Sequence, residues 1–303
     1  MILVIGDALI DRYTHAVSTR QSPEDPHAAI WDVVERAECP GGCLNVAANL
    51  ASLANTPTYL SAIVQHERRN WLRHKYNVHE VEELCSTTME PLTKERLIDS
   101  ETGLQILRID NRATFTGGSI EDFETQYARN SRLLDAFDAI VVSDYCKGTI
   151  TDRIVAHLET VHCPVFVDTK LEDLSVWRRI KECFVKINGR EYSRCSNPET
   201  VNLIVTHGAQ GAVYYPKSDE ESSFTVQGSN VDESDCIGAG DAYLAGLVDG
   251  YVSKGLWIDL AMRHADLVAR ASVRKPGTSI VTPTDVEQEI WYDHYGHARQ
   301  NNG

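Results

Sequence analysis

The sequence has no apolar run of about 18 residues and no charged leader followed by an apolar stretch. We therefore expect neither a membrane-spanning helix nor a signal peptide. Its eight cysteines are scattered, and the only close pair is Cys39 and Cys43. Structural zinc sites use two tight pairs, or one pair with two histidines, and nothing in the sequence completes such a set. The pattern predicts reduced thiols, a cytoplasmic location and no zinc site.

Two nucleotide-binding signatures are also missing. The motif G-x-x-x-x-G-K-[ST] does not occur, and the first predicted strand is followed by Gly6-Asp7-Ala8-Leu9-Ile10-Asp11 instead of G-x-G-x-x-G. These absences argue against a P-loop kinase and against a dinucleotide-dependent oxidoreductase. Positive charge is scarce as well, because 29 Lys and Arg stand against 44 Asp and Glu. The net charge of -15 argues against nucleic acid or an anionic membrane as the main partner.

No internal repeat, low-complexity segment or Gly/Ser-rich linker divides the chain, so we predict one compact unit over residues 1–303. Short apolar runs alternate with helical segments, and this order predicts an α/β fold with a doubly wound, mostly parallel sheet. The predicted strands lie at 2–5, 59–64, 139–143, 164–168, 183–188 and 202–206, and the predicted helices at 46–54, 67–76, 121–137, 152–161 and 174–181.

One stretch, Asp235-Cys236-Ile237-Gly238-Ala239-Gly240-Asp241, combines a glycine loop with the start of an apolar helix. The first N–H groups of a helix have no intrahelical partner, and glycine lets a phosphate approach them closely. Asp241 falls in the first turn, where its carboxylate can meet an attacking hydroxyl beside a bound phosphate. Taken alone, the stretch is equally typical of an ordinary helix start with an acidic first turn.

A second glycine loop precedes an alanine-rich helix. Gly41 and Gly42 let a ligand approach the backbone, and the amide of Asn45 can bind hydroxyl groups. Nearby in the chain, residues 12–38 and 85–110 contain β-prone patches, which indicate a small side sheet. Ligands of a doubly wound sheet bind beyond the carboxyl ends of its strands, so we expect these loops to meet in one cleft.

Three motifs resemble those of the ribokinase-like (PfkB) carbohydrate kinases. Residues 235–241 resemble the anion-hole motif of that family, Lys186-Ile187-Asn188-Gly189-Arg190-Glu191 resembles its N-x-x-E motif, and Gly41-Gly42 with Asn45 resembles its sugar-site glycines. Within the family, the chain resembles the heptose 7-phosphate kinases, whether alone or as half of a bifunctional enzyme. The stretches that carry this closer resemblance are 6–13, 19–26, 40–47, 143–148 and 277–279.

The resemblance implies a ribokinase-like fold with a small β-sheet lid, formed by segments of about 12–38 and 85–110, and a kinase that uses ATP. Asp241 would orient the acceptor hydroxyl and act as the base, although a carboxylate at a helix N-terminus is expected to be a weak one. Phosphoryl transfer depends mainly on positioning and electrostatics. The anion hole that stabilises the transferring group would comprise Gly238, Ala239 and Gly240 together with Asp241.

The resemblance also implies a nucleotide and metal side of the site. Asn188 and Glu191 would organise Mg²⁺, chiefly through its water shell, because this ion keeps several waters and uses few carboxylates. The remaining residues expected on the ATP side are Thr206, Gly208 and Gly277.

For the acceptor, the resemblance implies the anomeric 1-hydroxyl of D-glycero-D-manno-heptose 7-phosphate. Asp11, Gly41, Gly42 and Asn45 are the residues expected to contact the sugar. A substrate that already carries a phosphate needs a cation in this acidic chain, and the candidates are Arg20, Lys147 and Arg108. The resemblance further implies a homodimer formed through the lid.

Some features depart from the family pattern. Cys236 and Ile237 replace the hydroxyl-bearing residues usual before G-A-G-D, and the segment between Asn188 and Thr206 is short, as if a helix had been trimmed. A kinase for another sugar or sugar phosphate therefore stays open. So does a non-catalytic sugar-phosphate-binding relative, although the joint presence of Asp241, Asn188 and Glu191 argues against it.

Overall fold

Strands and helices alternate along the part of the chain that the computed structural model describes, which is residues 1–25, 27–54, 56–88, 91–111, 114–115, 117–217, 222–231 and 235–295. The strands within these residues are β1 (Ile2–Gly6), β2 (Ala8–Gln21), β3 (Ala29–Gly42), β4 (Thr58–Ala62), β5 (His79–Glu80), β6 (Leu92–Asp99), β7 (Gln105–Asp110), β8 (Ala139–Asp144), β9 (Val165–Thr169), β10 (Cys183–Asn188), β11 (Asn202–Thr206), β12 (Gly211–Tyr215) and β13 (Phe224–Gln227). The α-helices are α1 (Cys43–Leu53), α2 (His66–Tyr76), α3 (Gly118–Asn130), α4 (Asp152–Leu158), α5 (Gly189–Tyr192), α6 (Ala239–Val248), α7 (Ile258–Val273) and α8 (Pro283–Tyr295).

Nine of these strands form the main sheet, in the order β13-β12-β11-β10-β9-β8-β1-β4-β5. The pairing is parallel from β5 to β11 and antiparallel where β12 and β13 are added. In β1, Ile2 and Val4 enter one hydrophobic core, whereas Leu3 and Ile5 enter the other. Because both faces of this strand are buried, its sequence is apolar without interruption.

Helices cover both faces of the main sheet. Buried side chains of α1, α6 and α7 belong to one core, and those of α3 and α4 belong to the other. This arrangement confirms the predicted α/β architecture, with a doubly wound and mostly parallel sheet. None of the helices in the described ranges is long and apolar enough to cross a membrane.

A second sheet, which we call the lid, has the strand order β3-β2-β6-β7. Its longest strands, β2 and β3, pair in an antiparallel ladder from Ala8 with Gly42 to Gln21 with Ala29. The strands therefore extend beyond the predicted segment 12–38 at both ends. The second lid segment begins at Leu92 and not near 85, because Ser86 bridges Ile63 beside the main sheet.

Two of the predicted helices are wholly or partly 3₁₀ in the structure. The helix expected over 174–181 is a 3₁₀ turn at Leu174–Trp177, and the bond from the N–H of Ile180 to the carbonyl of Trp177 continues that tighter spacing. Trp177 is fully buried there, so packing of one large side chain outweighs the helical pattern. The helix expected over 121–137 ends at Asn130 and continues as a 3₁₀ segment at Ser131–Ala136.

Candidate active site

Asp241 is buried in the first turn of α6. Gly238 precedes the helix with φ 80°, a left-handed conformation that glycine adopts without strain. Both carboxylate oxygens of Asp241 accept hydrogen bonds, Oδ2 from Nδ2 of Asn45 and Oδ1 from the hydroxyl of Tyr145, each at 2.9 Å. Asn49 in turn fixes Asn45, because its Nδ2 donates to Asn45 Oδ1 at 3.0 Å. Residues distant in the chain thus hold the carboxylate in one orientation.

The N–H groups at the start of α6 differ in their partners. The N–H of Ala239 donates to the carbonyl of Cys236 at 3.3 Å, so it is not free as the anion-hole prediction required. The N–H groups of Gly240 and Asp241 have no acceptor within the described ranges. A Cβ at Gly240 would lie 3.0 Å from Lys186 Nζ, and glycine leaves this approach open. The free donors at this turn are therefore those of Gly240 and Asp241.

Burial raises the pKa of Asp241, and the nearby carboxylate of Asp168 raises it further. The hydrogen bonds from Asn45 and Tyr145 and the charge of Lys186 oppose this shift without cancelling it. A helix N-terminus by itself favours the charged form and makes a weak base. Here burial outweighs that effect, so Asp241 accepts a proton more readily than an exposed aspartate does.

Two lysines and two carboxylates form a chain of ion pairs along the wall of the cleft. Lys186 Nζ donates to Asp168 Oδ2 at 2.7 Å and to the carbonyl of Gly240 at 3.2 Å. Lys170 Nζ lies 3.5 Å from Asp168 Oδ1 and 2.6 Å from Glu191 Oε1. Burial disfavours the charged form of Asp168, but Lys186 and then Lys170 bring its pKa below the usual range. The chain of charges links the first turn of α6 to Glu191.

Asn188 and Glu191 form a capping box at the start of α5. Asn188 Oδ1 accepts from the N–H groups of Arg190 and Glu191, each at 3.0 Å, and Glu191 Oε2 accepts from the N–H of Asn188 at 2.8 Å. Lys170 Nζ donates to the other oxygen of Glu191, so both oxygens of this carboxylate already accept a hydrogen bond. The described residues contain no cluster of three or more His, Cys, Asp or Glu arranged to hold a metal ion. These donors fit Mg²⁺ held through water and phosphate oxygens.

Asp7 holds the loop that follows β8 through hydrogen bonds. The fully buried carboxylate of Asp7 accepts from the backbone N–H groups of Tyr145, Lys147 and Thr149 at 2.8, 3.0 and 3.2 Å. Asp7 therefore shapes this loop, and both of its carboxylate oxygens accept backbone hydrogen bonds. Within the part of the chain that the structure describes, Lys147, predicted to bind a phosphate, enters the hydrogen-bond network only through its backbone.

Tyr145 connects this loop to the lid and to the base. Its hydroxyl donates to Asp241, while the ammonium groups of Lys94 and Lys170 lie 4.2 and 5.3 Å from its ring centroid. Distances of this size allow cation–π attraction. Lys94, a lid residue, therefore contacts Tyr145, which in turn contacts the candidate base.

Asp144, at the end of β8, is a second carboxyl group with a raised pKa. Burial raises the pKa of Asp144 to about 6, although hydrogen bonds from Thr169 Oγ1 at 2.8 Å and the N–H of Cys146 at 2.9 Å oppose the shift. Between about pH 4 and pH 6, the folded protein therefore keeps a proton here that the unfolded chain has released. The free energy of unfolding should fall as the pH rises through this window.

We expect Asp144→Asn to lack this decrease, because the amide stays neutral. Relative to the wild type, the variant should gain up to about 3 kcal/mol in free energy of unfolding between about pH 4 and pH 7. Urea unfolding of both proteins at the two pH values measures the gain. A difference between them that does not change with pH would contradict the assignment.

The lid turns a row of charged and polar side chains toward the main sheet, and we call this row the inner face. Arg96 donates to Asp11 Oδ1 at 2.7 Å, and Thr278 Oγ1 donates to Asp11 Oδ2 at 3.2 Å. A Cβ at Gly41 would lie 2.4 Å from Asp11 Oδ2, so glycine is needed for this close approach. The residues of the inner face are Asp11, Tyr13, Lys94, Arg96, Arg108 and Asp110.

The other residues predicted to bind the sugar or its phosphate lie in different parts of the structure. Gly42 caps α1 with φ 56° beside the carbonyl of Asp7. Arg20 is exposed near the far end of β2, opposite Ile30 of β3. Arg108 is on the inner face, paired with Asp110 through two bonds of 2.7 Å. The structure thus brings Arg108 toward the site and leaves Arg20 away from it.

A cleft of about 350 Å³ lies between α6, α7 and the ends of β10 and β11. Thr206 and Gly208, the residues expected on the ATP side, both line it. Gly277 is not part of this lining, because its N–H donates to Asp235 and its α-carbon packs against the ring of Tyr13. The cleft also contains side chains that the sequence did not single out, namely Tyr145, Asp168, Lys170, Lys186 and Arg270.

Two of the residues that sequence reasoning missed lie inside motifs it had already quoted. Tyr145 belongs to 143–148, and Lys186 opens Lys186-Ile187-Asn188-Gly189-Arg190-Glu191. Asp168 ends a predicted buried strand and Lys170 comes just after it, the position at which parallel strands deliver ligand-binding residues. Charged residues at the carboxyl ends of successive strands were therefore the available signal. Lys94 had no such signal, because its partner Tyr145 is distant in the chain.

Comparisons with known proteins agree with this geometry. The sequence model described as pfkB family carbohydrate kinase matches residues 99–285. Proteins named Bifunctional protein HldE are 28% identical in Marinomonas sp. (strain MWYL1), over 93% of this chain, and 29% identical in Alkalilimnicola ehrlichii, over 95% of it. The chain spans 62% and 63% of those two relatives, a little under two thirds of their length.

Solved structures resemble the whole chain. Phosphofructokinase-2 from Escherichia coli in complex with potassium has a TM-score of 0.74 at 17% identity, covering 96% of this chain and 98% of that one. Ribokinase from Thermotoga maritima has a TM-score of 0.71 at 17% identity, covering 96% and 99%. At these identities the likeness shows the ribokinase-like fold alone. Because the family model matches more than half of the residues, the chain belongs to the pfkB family of carbohydrate kinases and is a carbohydrate kinase.

Proposed function

We propose that this chain transfers the γ-phosphoryl group of ATP to the anomeric hydroxyl of D-glycero-D-manno-heptose 7-phosphate. The observation that carries the proposal is the carboxylate of Asp241, buried and oriented beside the two free N–H groups of Gly240 and Asp241. This carboxylate lies between the cleft proposed for ATP and the inner face of the lid. The phosphoryl donor can therefore bind on one side of it and the sugar on the other.

In this mechanism, the reacting hydroxyl of the sugar replaces the Tyr145 hydroxyl as the hydrogen-bond donor to Oδ1 of Asp241. Asp241 then takes the proton of the sugar hydroxyl as the phosphoryl group transfers. The N–H groups of Gly240 and Asp241 donate to oxygens of the transferring group. ATP supplies that group, and Mg²⁺ neutralises charge on its phosphates. Asn188 and Glu191 would hold this ion through water, and Lys170 adds positive charge to the wall of the cleft.

The choice of sugar is supported by the sequence. The stretches 6–13, 19–26, 40–47, 143–148 and 277–279 resemble heptose 7-phosphate kinases, and the relatives named Bifunctional protein HldE match 93–95% of this chain. Because the chain spans only part of those relatives, the proposal concerns one kinase activity and nothing further.

The test is ADP release with D-glycero-D-manno-heptose 7-phosphate, compared with ribose, with fructose 6-phosphate and with no sugar. Each reaction is run with Mg²⁺ and with EDTA. We expect heptose-dependent turnover that EDTA abolishes. Preference for another sugar would discard the substrate and keep the kinase, whereas sugar binding without turnover in any reaction would favour the non-catalytic alternative.

We also infer a homodimer through the lid, in which a second copy covers apolar side chains of the edge strands. Exposed apolar residues concentrate there, and large exposed apolar patches commonly mark interfaces. A light-scattering mass near twice 33.8 kDa supports the dimer, and the monomer mass would contradict it. The exposed residues are Val33, Val34, Leu104, Ile106, Leu107 and Ile109.

A further inference from the structure

The inner face of the lid carries more positive than negative charge, although the chain as a whole is strongly acidic. Lys94 pairs across the strands with Asp11 on one side and Asp110 on the other, and the next rung places Arg96 directly opposite Arg108. Like charges in directly opposed positions are destabilising unless something compensates them. Three cations and two carboxylates leave this face with a net positive charge.

The two carboxylates already form ion pairs with the two arginines. Asp11 holds Arg96 at 2.7 Å, and both side chains are more than nine-tenths buried. Asp110 holds Arg108 through a two-point contact of 2.7 Å per bond. Lys94 is therefore the cation of the inner face that these pairings leave without a carboxylate.

Lys94 is half-buried, and its recorded contact is with the ring of Tyr145 at 4.2 Å. Across the described ranges, its ammonium has no hydrogen bond and no carboxylate oxygen within 4.0 Å. Burial lowers the pKa of Lys94, which shows that its surroundings do not fully replace the lost water. The carboxylates of Asp11, Asp241 and Asp110 offset part of this shift from a distance. None of them gives the ammonium a close ion pair, and an anionic ligand in direct contact would supply one.

The position of Lys94 separates it from the nucleotide. Lys170 and Lys186 line the cleft beside α6, and Lys94 does not. Lys94 instead lies across the ring of Tyr145, whose hydroxyl contacts Asp241. An anion at Lys94 would therefore belong to a molecule on the lid side of the base, the side of the acceptor.

We propose that Lys94 binds the phosphate that the acceptor already carries, and that it selects a phosphorylated sugar over a neutral one. The sugar then spans the ring of Tyr145, with its reacting hydroxyl at Asp241 and its phosphate at Lys94. This inference rests on the proposed kinase function and adds the residue that recognises the class of acceptor.

The test compares the wild type with Lys94→Met, which keeps the length of the side chain and removes its charge. The readout is kcat/KM for heptose 7-phosphate and for the same heptose without phosphate. A hydrogen bond to a charged group contributes enough for Lys94→Met to lower kcat/KM for the phosphorylated sugar between about tenfold and a hundredfold. We expect the value for the neutral sugar and the KM for ATP to change by less than about twofold, and Lys94→Arg to recover most of the loss.

The exposed Lys181 provides the matched control, because Lys181→Met removes a lysine charge at the surface without touching the site. An equal loss for both sugars, or a raised KM for ATP, would overturn the proposal. If the chain prefers a different sugar phosphate, the same comparison with that compound and its neutral counterpart decides the role of Lys94 separately from the choice of heptose. Preference for a neutral sugar would overturn the Lys94 proposal and leave the kinase standing.

A binding measurement covers the case in which no sugar is turned over. Calorimetric titration of heptose 7-phosphate into wild type and Lys94→Met, without ATP, reports recognition without catalysis. Binding that weakens at least tenfold in Lys94→Met supports the proposal even if the kinase function fails. Equal binding by both proteins, or none by either, would overturn it.

Discussion

Asp241→Asn is expected to lower kcat by about a thousandfold, within the range of 10²–10⁴ that a positioned general base contributes. The amide is nearly isosteric with the carboxylate and keeps both contacts, because its oxygen can accept from Asn45 while its nitrogen donates to the Tyr145 hydroxyl. Only the negative charge and its affinity for a proton are lost. Steady-state ADP release with saturating sugar and Mg-ATP measures the effect.

Asp259→Asn is the matched control. Asp259 also lies in the first turn of a helix, α7, but it is exposed, so the same substitution there should leave kcat unchanged. Binding of ATP and sugar to Asp241→Asn, measured by calorimetry, should stay within about threefold of the wild type, because ground-state contacts are kept. A fall in kcat below tenfold would show that Asp241 positions the acceptor without acting as the base.

Lys186→Met is expected to lower the free energy of unfolding by about 3–5 kcal/mol. Lys186 and Asp168 are each about 3% exposed and lie 2.7 Å apart, so removing the ammonium leaves a buried carboxylate with only the longer contact to Lys170 at 3.5 Å. The buried charge then costs more than the lost attraction itself. Urea unfolding at neutral pH, followed by tryptophan fluorescence, measures the change.

The double variant Lys186→Met with Asp168→Leu separates the two contributions. Replacing both partners by apolar side chains removes the buried unpaired charge, so most of the lost stability should return. Catalysis should not return with it, because the contact from Lys186 to the carbonyl of Gly240 is also gone. A double variant as unstable as Lys186→Met would contradict the ion-pair explanation, and Lys181→Met serves again as the surface control.

The positions of six of the nine strands in the main sheet followed directly from the sequence. The run at 2–5 is apolar because both faces of β1 are buried, and strands of that kind can be identified from composition alone. The segment 174–181 could not be assigned in the same way. Its pattern suits a helix, but Trp177 packs into the core through a 3₁₀ turn, and this preference depends on neighbours that are not local in the chain.

The candidate base also combines properties that the local sequence predicts with properties that it does not. The glycine loop and its position before an apolar helix single out Asp241 from sequence, because the physics of a helix N-terminus is local. Its raised pKa is not local, since it arises from burial and from Asp168. Likewise Asn45 was expected to meet a sugar hydroxyl, whereas in the structure its amide orients Asp241, 196 residues away.

The sequence by itself determined the α/β fold and the glycine loops at the helix starts, because strand burial, helix starts and glycine turns depend on neighbouring residues. Only the tertiary structure decided which charges face one another. It paired Asp11 with Arg96 and Asp168 with Lys186, and among the described residues it placed Lys94 beside the ring of Tyr145 with no carboxylate oxygen within 4.0 Å. Electrostatic partners are chosen by distance in space, and the order of residues in the chain does not encode that distance in any local pattern.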